Sequence, residues 1–279
     1  MFERVAIVGL GLVGGSIAGA LRRRGSHILG IDRDPAARRV AADRGLIDRG
    51  SASLQKLPPD IEAVILAVPV LSILQLLETV DALAPPDALL IDTGSVKAPV
   101  VELMAKLPGA GRAVGGHPIA GKAESGAAAA DPDLFCHRPF VIVPSDRTDA
   151  AAMDAARLLI GALDAIPEVM DAASHDEVLA RTSHLPQMVA SALALSLDPG
   201  DERVAGPGLR DMTRLAGSDV RVWRDIFLAN RHNVKAAADN FIGQLEELVR
   251  VVGDGEAEHI ETLMEQGREA STVLREVGS

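Results

Sequence analysis

The sequence predicts an α/β fold in which a doubly wound parallel sheet is followed by an all-helical C-terminal domain. Short apolar runs alternate with helical segments in the first half, a glycine-rich motif joins the first run to the first helix, and apolar residues recur at helical spacing beyond residue 170. Continuous apolar runs are typical of strands buried on both faces of a parallel sheet. We therefore place one domain at residues 1–170 and a second at residues 171–279.

The predicted strands follow one another along the first half of the chain. Apolar runs place them at residues 4–9, 27–32, 61–68, 88–92, 113–116 and 139–143. A helical pattern follows the first strand from about residue 14 to residue 24, and Gly25 is placed to end it. Strands that alternate with helices favour parallel pairing, because each helix returns the chain to the end of the sheet at which the previous strand began.

Beyond residue 170 the sequence contains no convincing strand. One apolar stripe at helical spacing lies within residues 241–252, and a second includes Ile260, Met264 and Leu274. Glycine-containing breaks at residues 198–201 and 253–255 end two of the helices. Helices with no sheet to cover must bury such stripes against each other or against a second copy of the chain. We therefore expect a homodimer formed through the C-terminal helices.

Composition excludes several classes of protein. The chain has 28 Lys and Arg against 39 Asp and Glu, for a net charge of −11, and sequence-independent nucleic-acid binding requires clustered positive charge instead. No stretch of about 18 or more apolar residues occurs, so we expect no membrane span and no signal peptide. The one cysteine, Cys136, cannot form an internal disulfide, which fits a cytoplasmic location. We expect no metal site.

The glycine-rich motif predicts a dinucleotide-binding site of the Rossmann type. Residues 9–14 match G-x-G-x-x-G between a predicted strand and a predicted helix, which is the context that the motif requires. Gly9 permits the tight turn, Gly11 lets the backbone approach a pyrophosphate, and Gly14 allows the helix to pack closely on the strand. The positive end of the helix dipole faces the phosphates. The residues expected at the cofactor are Gly9, Gly11, Leu12, Val13 and Gly14.

Two further segments are expected at the cofactor. Asp32 ends the second predicted strand, where an acidic side chain hydrogen-bonds the adenosine ribose. A carboxylate there repels a 2′-phosphate, so NAD is favoured over NADP, although a guanidinium at Arg33 leaves NADP possible. Val68 and Pro69 follow another strand on the ligand side of the sheet, although the same residues would also serve as a plain turn.

Polar residues at two strand ends suggest catalytic chemistry. His117 lies just past a predicted strand, among glycines that let the backbone approach a ligand, and histidine is the usual general base near neutral pH. Ser95 follows another strand and bears a hydroxyl that could hydrogen-bond the base or a substrate. In the helical half, Pro186 interrupts a helical pattern directly after His184, which kinks the helix and frees a carbonyl.

These segments together resemble the prephenate/arogenate dehydrogenase family. The matching segments occur in the family's order and are residues 9–16, 92–97, 116–121, 183–186 and 211–230. The resemblance implies an N-terminal nucleotide-binding domain, a helical dimerisation domain and active sites in the cleft between them. It also implies oxidative decarboxylation of prephenate, arogenate or both, with NAD as hydride acceptor, in tyrosine biosynthesis.

The resemblance implies a role for individual residues. His117 is similar to the family's catalytic base, which accepts the proton of the ring C4 hydroxyl. Ser95 is similar to the hydroxyl that orients this histidine and the substrate oxygen, and His184 to a cleft residue near the nicotinamide and the ring. Arg214 resembles the clamp for a substrate carboxylate, a role suited to a planar and permanently charged group. Asp211 would orient that arginine.

Two departures from the family pattern leave the side-chain specificity open. Gln187 stands where many prephenate-specific members carry a second histidine. Ala123 stands where some members carry a glutamate, with Glu124 one position later. Because Gln187 is uncharged and its amide oxygen can accept from an ammonium group, we expect arogenate to be used at least as well as prephenate.

Two alternatives stay open from the residues alone. A dehydrogenase of the β-hydroxyacid type shares a Rossmann domain and a helical half, but such enzymes generally use a lysine base on the helical domain, and residues 171–234 contain no lysine. A non-catalytic nucleotide-binding protein would require the polar residues His117, Ser95 and Arg214 to be coincidental.

Overall fold

The computed structural model describes residues 2–122 and 124–277, without the side chains of residues 274–277. Ala123 and the side chain of Leu274, both named above, therefore lie outside the described residues. Among the described residues, no helix is long and apolar enough to cross a membrane.

The first half of the chain forms an eight-stranded sheet in the order β3-β2-β1-β4-β5-β6-β7-β8. Neighbouring strands are parallel except β6 and β7, which are antiparallel. The predicted doubly wound α/β fold is confirmed. The strands are β1 (Arg4–Val8), β2 (His27–Ile31), β3 (Arg49–Ser51), β4 (Ala63–Leu66), β5 (Leu89–Asp92), β6 (Ala113–Pro118), β7 (Pro139–Pro144) and β8 (Ile166–Val169).

Three features of the sheet differ from the prediction. The strand predicted at residues 139–143 forms, but it runs antiparallel to β6. Strands β3 and β8 were not predicted at all, because β3 is short and polar and β8 is an exposed edge strand that carries Pro167 and Glu168. Edge strands bury little side-chain surface, so they do not produce the apolar runs by which the other strands are found.

Nine helices accompany the sheet or follow it within residues 2–122 and 124–230. They are α1 (Leu12–Arg23), α2 (Pro35–Asp43), α3 (Val70–Leu83), α4 (Ala98–Met104), α5 (Ala150–Ala162), α6 (Ala172–Leu179), α7 (Leu185–Leu195), α8 (Pro207–Thr213) and α9 (Val220–Ala229). As predicted, α1 ends before Gly25, whose φ of 95° is left-handed and favours glycine.

The sheet is buried on both faces. Successive residues of β1 alternate between two hydrophobic clusters: Val5 and Ile7 belong to one, and Ala6 and Val8 to the other. Alternation places neighbouring side chains on opposite faces of the sheet, so an entirely apolar strand requires helices on both sides. Strand order reverses between β1 and β4, and ligands of such sheets bind at this point beside the carboxyl ends of the strands.

A π-helical turn, Ala180–His184, joins α6 to α7. Pro186 lies in the first turn of α7 and has no N–H, so the regular helical hydrogen bond is lost at the predicted point of interruption. Such π-turns are frequent at functional sites. The turn ends at His184, whose side chain is fully buried.

Residue contacts divide the chain into two units, residues 1–231 and residues 232–279. Within the first unit, α6 contacts α4 and β7, and α9 contacts α3, so this part of the helical half packs against the sheet region. The predicted domain boundary between residues 170 and 171 falls inside the first unit and stays a prediction.

The second unit consists of two long helices, α10 (Arg231–Asp254, whose first residue belongs to the first unit) and α11 (Ala257–Val277). Gly255, with a φ of 71°, lies in the turn between them, at the predicted break. The predicted apolar stripe on α10 is largely exposed, with Val249 64% and Val252 62% accessible.

Candidate active site

Of the three glycines in the motif that joins β1 to α1, only Gly11 has open space beside it. A Cβ at Gly9 would lie 2.3 Å from the Ala67 carbonyl oxygen, and one at Gly14 would lie 1.9 Å from the Gly9 carbonyl oxygen. A Cβ at Gly11 would meet nothing within 4 Å. Protein packing therefore requires glycine at positions 9 and 14, whereas Gly11 faces open space.

The start of α1 fits a bound pyrophosphate. Gly11 is the N-cap residue, and no side chain caps the helix, so its first backbone N–H groups are left without a protein side-chain acceptor. Leu12 and Val13 form the first turn and are half-buried. Unpaired N–H groups at the positive end of a helix dipole bind anions, and the adjacent open space at Gly11 admits one.

Asp32 lies beside this loop. Its carboxylate accepts hydrogen bonds from the backbone N–H groups of Leu10, at 2.8 Å, and Asp34, at 2.9 Å. These bonds hold the carboxylate next to the glycine loop, and each oxygen keeps a lone pair for a ribose hydroxyl. The adjacent side chain of Arg33 is exposed.

The other predicted cofactor segment lies on the same edge of the sheet. Val68 and Pro69 lie one residue beyond β4, and Pro69 is the N-cap residue of α3. Val68 is half-buried and Pro69 is exposed. The backbone N–H of Ala67 donates to the Val8 carbonyl at 2.7 Å, which ties this turn to the end of β1.

His117 lies within β6 and not just past it as predicted, because the strand extends to Pro118, and the residue is 8% exposed. The glycines before it do not open space for a ligand, contrary to the expectation from sequence. A Cβ at Gly115 would lie 2.8 Å from the Val143 carbonyl oxygen, and one at Gly116 would lie 2.5 Å from the Asp92 carbonyl oxygen. These two glycines are required by close strand packing, whereas Gly121 meets nothing within 4 Å.

A chain of hydrogen bonds extends from His117 into the protein. Its Nδ1 lies 2.9 Å from Nε2 of His175, and Nδ1 of His175 lies 2.8 Å from Oδ1 of Asp176. His175 and Asp176 both lie in α6 and are 0% and 1% exposed. Sequence analysis did not identify either residue.

The Asp176 carboxylate is itself anchored by the backbone. The N–H of Lys97 donates to Oδ1 at 2.7 Å, and the N–H of Ala98 donates to Oδ2 at 2.8 Å. Both groups lie at the start of α4, where helical N–H groups lack helical partners. These two hydrogen bonds connect α6 to the start of α4.

A buried ion pair lies behind His117. The ammonium of Lys97 contacts the Asp92 carboxylate and donates to the Gly116 carbonyl at 2.7 Å, and both ionic side chains are fully buried. Asp92 also accepts from the backbone N–H groups of Gly94 and Gly116. Burial lowers the pKa of Lys97, and the Asp92 carboxylate opposes this effect.

The pKa of His117 lies well below its ordinary value. Burial is the largest cause, and electrostatic interactions with the neighbouring His175, Lys97 and His184 lower it further. The ring is therefore neutral near pH 7 and able to accept a proton.

Ser95 is placed differently from its expected role. Its side chain is half-buried, and within the described residues its hydroxyl makes no hydrogen bond to His117. In this structure the group that contacts the ring of His117 is His175.

His184 has one free ring nitrogen. The amide nitrogen of Asn230 donates to the Asp176 carbonyl at 2.8 Å, which determines the amide's orientation, and lies 3.1 Å from Nδ1 of His184. Nδ1 of His184 therefore accepts, and the ring proton lies on Nε2, which is buried and has no partner among the described residues. Burial lowers the pKa of His184 to about 4, so the ring is neutral.

Gln187 lies one helical turn beyond His184 and is 4% exposed. Its Oε1 is likewise buried and has no hydrogen-bond partner within the described part of the chain. Buried polar atoms are nearly always paired, so an unpaired donor on His184 and an unpaired acceptor on Gln187 indicate a ligand or water between these elements. The Trp223 ring packs edge-on against His184, with ring centroids 6.1 Å apart.

Arg214 and Asp211 do not form the expected pair. Both side chains are exposed, and no hydrogen bond or ion pair joins them in the part of the chain that the structure describes. Arg214 begins a short 3-10 turn, Arg214–Gly217, after α8.

Two family models match successive parts of the chain. The model described as prephenate dehydrogenase, nucleotide-binding domain, matches residues 17–166, and the one described as prephenate dehydrogenase, dimerization domain, matches residues 171–266. The chain belongs to the prephenate dehydrogenase family. It is an NAD-dependent dehydrogenase of this family, and the predicted oxidative decarboxylation of prephenate, arogenate or both in tyrosine biosynthesis is confirmed.

Individual relatives agree with this assignment. The prephenate dehydrogenase of Bacillus subtilis is 34% identical over 270 residues, which cover 93% of this chain and 73% of the relative. The crystal structure of Aquifex aeolicus prephenate dehydrogenase with hydroxyphenyl propionate and NAD+ matches with a TM-score of 0.91 at 32% identity, covering 98% of this chain and 99% of that one. The arogenate dehydrogenase of Synechocystis matches with a TM-score of 0.80 at 28% identity, covering 97% of this chain and 99% of that one.

Proposed function

We propose that His117 is the general base of this dehydrogenase and acts through its Nε2 atom. The observation that carries the proposal is the hydrogen bond between Nδ1 of His117 and His175, which leaves Nε2 as the ring nitrogen open to a substrate. The lowered pKa of His117 supplies the neutral ring that a base requires.

In this mechanism, Nε2 of His117 accepts the proton of the ring C4 hydroxyl. NAD held at the glycine loop and Asp32 would supply the acceptor for the C4 hydride, and departure of the ring carboxylate as carbon dioxide would leave an aromatic ring. The buried surroundings of His117 exclude water and strengthen the electrostatic interactions at this point. Ser95, which is free of His117 within the described residues, would then donate to the substrate oxygen rather than to the base.

The substrate side chain is proposed to bind beside His184 and Gln187, at the start of α7. The N–H at Nε2 of His184 is a donor and Oε1 of Gln187 is an acceptor, and both lack a protein partner among the described residues. The ammonium of arogenate can donate to Gln187, while the ketone of prephenate can accept from a donor. We therefore propose that the enzyme uses both substrates, and arogenate at least as well as prephenate.

Arg214 is proposed to bind a substrate carboxylate. Its exposed guanidinium makes no ion pair within the described residues, so its donors are available to a ligand. Asp211 keeps its proposed orienting role only if the arginine moves on binding, since the two side chains are unpaired here.

The C-terminal helices are proposed to form a homodimer. The model of the dimerization domain covers residues 171–266, and α10 and α11 expose the apolar residues Ile242, Leu245, Val249, Val252 and Met264. Exposed large apolar residues along such helices favour association with a second copy of the chain. We place the enzyme in the cytoplasm, in keeping with a single cysteine, and keep the domain boundary near residue 170 as part of the proposal.

The test is a spectrophotometric assay of reduced nicotinamide with prephenate and with arogenate, comparing the unmodified enzyme with His117→Asn. We expect kcat to fall by roughly 10²–10⁴ for both substrates, the usual contribution of general acid–base catalysis, with the Kd for NAD nearly unchanged. A variant with near-normal kcat would exclude His117 as the base.

A further inference from the structure

The hydrogen bonds around His117 determine which of its nitrogens carries the proton. Two backbone N–H groups already donate to the Asp176 carboxylate, so this side chain is an acceptor towards His175 as well. Nδ1 of His175 must then carry a proton and donate it to Asp176 across 2.8 Å. A neutral His175 is left with a bare Nε2, which accepts.

The position of the proton on His175 determines the position of the proton on His117. Its Nδ1 lies 2.9 Å from the bare Nε2 of His175 and must donate, so the proton of neutral His117 lies on Nδ1. Nε2 of His117 is therefore the bare nitrogen. The opposite tautomer would place two lone pairs against each other inside the protein, where an unpaired polar atom is costly.

We propose that His175 and Asp176 are positioning residues that keep Nε2 of His117 unprotonated and directed at the substrate. The proposal rests on the proposed role of His117 as the base. Asp176 determines the tautomer of His175, and His175 determines that of His117. Neither residue needs to touch the substrate.

The same chain of groups stabilises His117 once it has accepted a proton. Burial and the nearby charge of Lys97 disfavour a positive charge on His117. The charge of Lys97 is matched by Asp92, with which it forms an ion pair. Asp176 is the carboxylate that contacts His175. A strengthened hydrogen bond from Nδ1 of His117 through His175 connects the new imidazolium to that carboxylate.

The first experiment measures the tautomer directly, by ¹⁵N NMR of protein labelled at its seven histidines. The His117 signals are assigned by their loss in His117→Asn. In the unmodified enzyme we expect Nδ1 to be protonated and Nε2 to be bare. In Asp176→Asn the amide can donate to His175, which reverses both rings, and Nε2 of His117 becomes protonated. A bare Nε2 in both proteins, or a protonated one in the unmodified enzyme, would overturn the proposal.

The second experiment measures kcat and KM. Asp176→Asn is expected to lower kcat by roughly 10²–10⁴, as expected when a catalytic histidine is held in the wrong tautomer, with little change in KM or in NAD affinity. The matched control is Asp81→Asn in α3. Asp81 is also a buried carboxylate, 8% exposed, that accepts a backbone N–H and pairs with an arginine, but it lies outside the histidine cluster. The control is expected to lose stability while kcat is kept.

A pair of substitutions at His175 keeps the proposal testable if Asp176→Asn fails to fold. In His175→Gln the amide oxygen can accept from His117 and the amide nitrogen can donate to Asp176, whereas His175→Leu fills the space without either bond. We expect kcat of His175→Gln to stay within about tenfold of the unmodified enzyme, and that of His175→Leu to fall by roughly a hundredfold or more. Equal kcat values in the two folded variants would overturn the proposal.

The outcomes separate this proposal from the one on which it rests. If His117→Asn keeps its kcat, the assignment of the base is wrong, although the NMR experiment still tests the tautomer. If His117→Asn loses activity while Asp176→Asn and His175→Leu keep theirs, His117 is the base and the positioning role is wrong.

Discussion

The cofactor loop and the histidine site lie on the same sheet but are built in different ways. The loop consists of the consecutive residues 9–14, and its proposed cofactor binding depends on backbone conformation and on the open space at Gly11. The histidine site joins His117 of β6, His175 and Asp176 of α6, and Asn230, which follows α9. A site made from backbone is readable as a short motif, whereas a site made from side chains of distant segments forms only when the elements pack.

The largest expected effect is the dependence of folding stability on pH, which arises from the buried ring of His184. The pKa of His184 is lowered to about 4 in the folded protein, against 6.5 ordinarily, so the unfolded chain binds protons more readily. Acid therefore favours unfolding, and stability falls as the pH drops from 6.5 towards 4, by on the order of 3 kcal/mol from this group. Urea unfolding across this pH range measures the slope.

A substituted histidine serves as the control for the acid experiment. His184→Gln should flatten the slope, while His27→Gln, at an exposed histidine outside the site, should leave it unchanged. An identical slope in His184→Gln and the unmodified protein would mean that this ring is not held neutral by burial.

Arg214 provides the next largest effect. A charge-assisted hydrogen bond to a carboxylate contributes roughly 1.5–3 kcal/mol, so Arg214→Ala should raise the substrate KM by roughly 10–100-fold. Because the side chain is exposed and unpaired within the described residues, the melting temperature should barely change. A marked loss of stability with an unchanged KM would assign Arg214 to the structure rather than to the substrate.

The glycine loop is tested by a matched pair of alanine substitutions. Gly11→Ala introduces a Cβ that meets no protein atom within 4 Å, so the protein should fold normally but bind NAD about tenfold or more weakly. Gly14→Ala places a Cβ 1.9 Å from the Gly9 carbonyl oxygen, so it should lower the stability itself. Calorimetric titration with NAD and thermal unfolding measure both effects, and normal NAD binding by Gly11→Ala would contradict the assigned site.

The smallest expected effect concerns the choice between substrates. Gln187→His adds a donor beside the substrate side chain and, if protonated, repels an ammonium, so preference should shift towards prephenate by about 1 kcal/mol, the scale of one hydrogen bond. The measurement is kcat/KM for both substrates in both proteins. Strong prephenate preference in the unmodified enzyme would contradict the proposed use of arogenate.

Most of the fold was predictable from the sequence, because a strand that is buried on both faces consists of consecutive apolar residues. The strands β1, β2, β4, β5 and β6 were found as apolar runs, whereas β3 and β8 were missed because edge strands are not buried in this way. The antiparallel pairing of β7 with β6 was also missed, because an apolar run does not show whether a strand runs parallel or antiparallel to its neighbour.

The candidate site was predictable only in part. The Asp92–Lys97 segment was found because it lies at a strand end, where ligands of such sheets bind, and His117 was found beside a predicted strand end although it lies within β6. The ion pair within that segment was not anticipated, and neither were His175, Asp176 or Asn230. The one local sign was a histidine followed by an aspartate in a helix, and this sign does not reveal a partner 58 residues away.

The buried strands, the glycine loop and the kinds of side chain available for chemistry could be found from the sequence, because apolar runs and glycine spacing are local features. Tertiary structure alone decided the protonation states. Packing α6 against α4 and β7 places His175 beside the buried His117 and Asp176 behind His175. Burial makes each unpaired atom costly, and that cost selects the nitrogen that remains free to accept a proton.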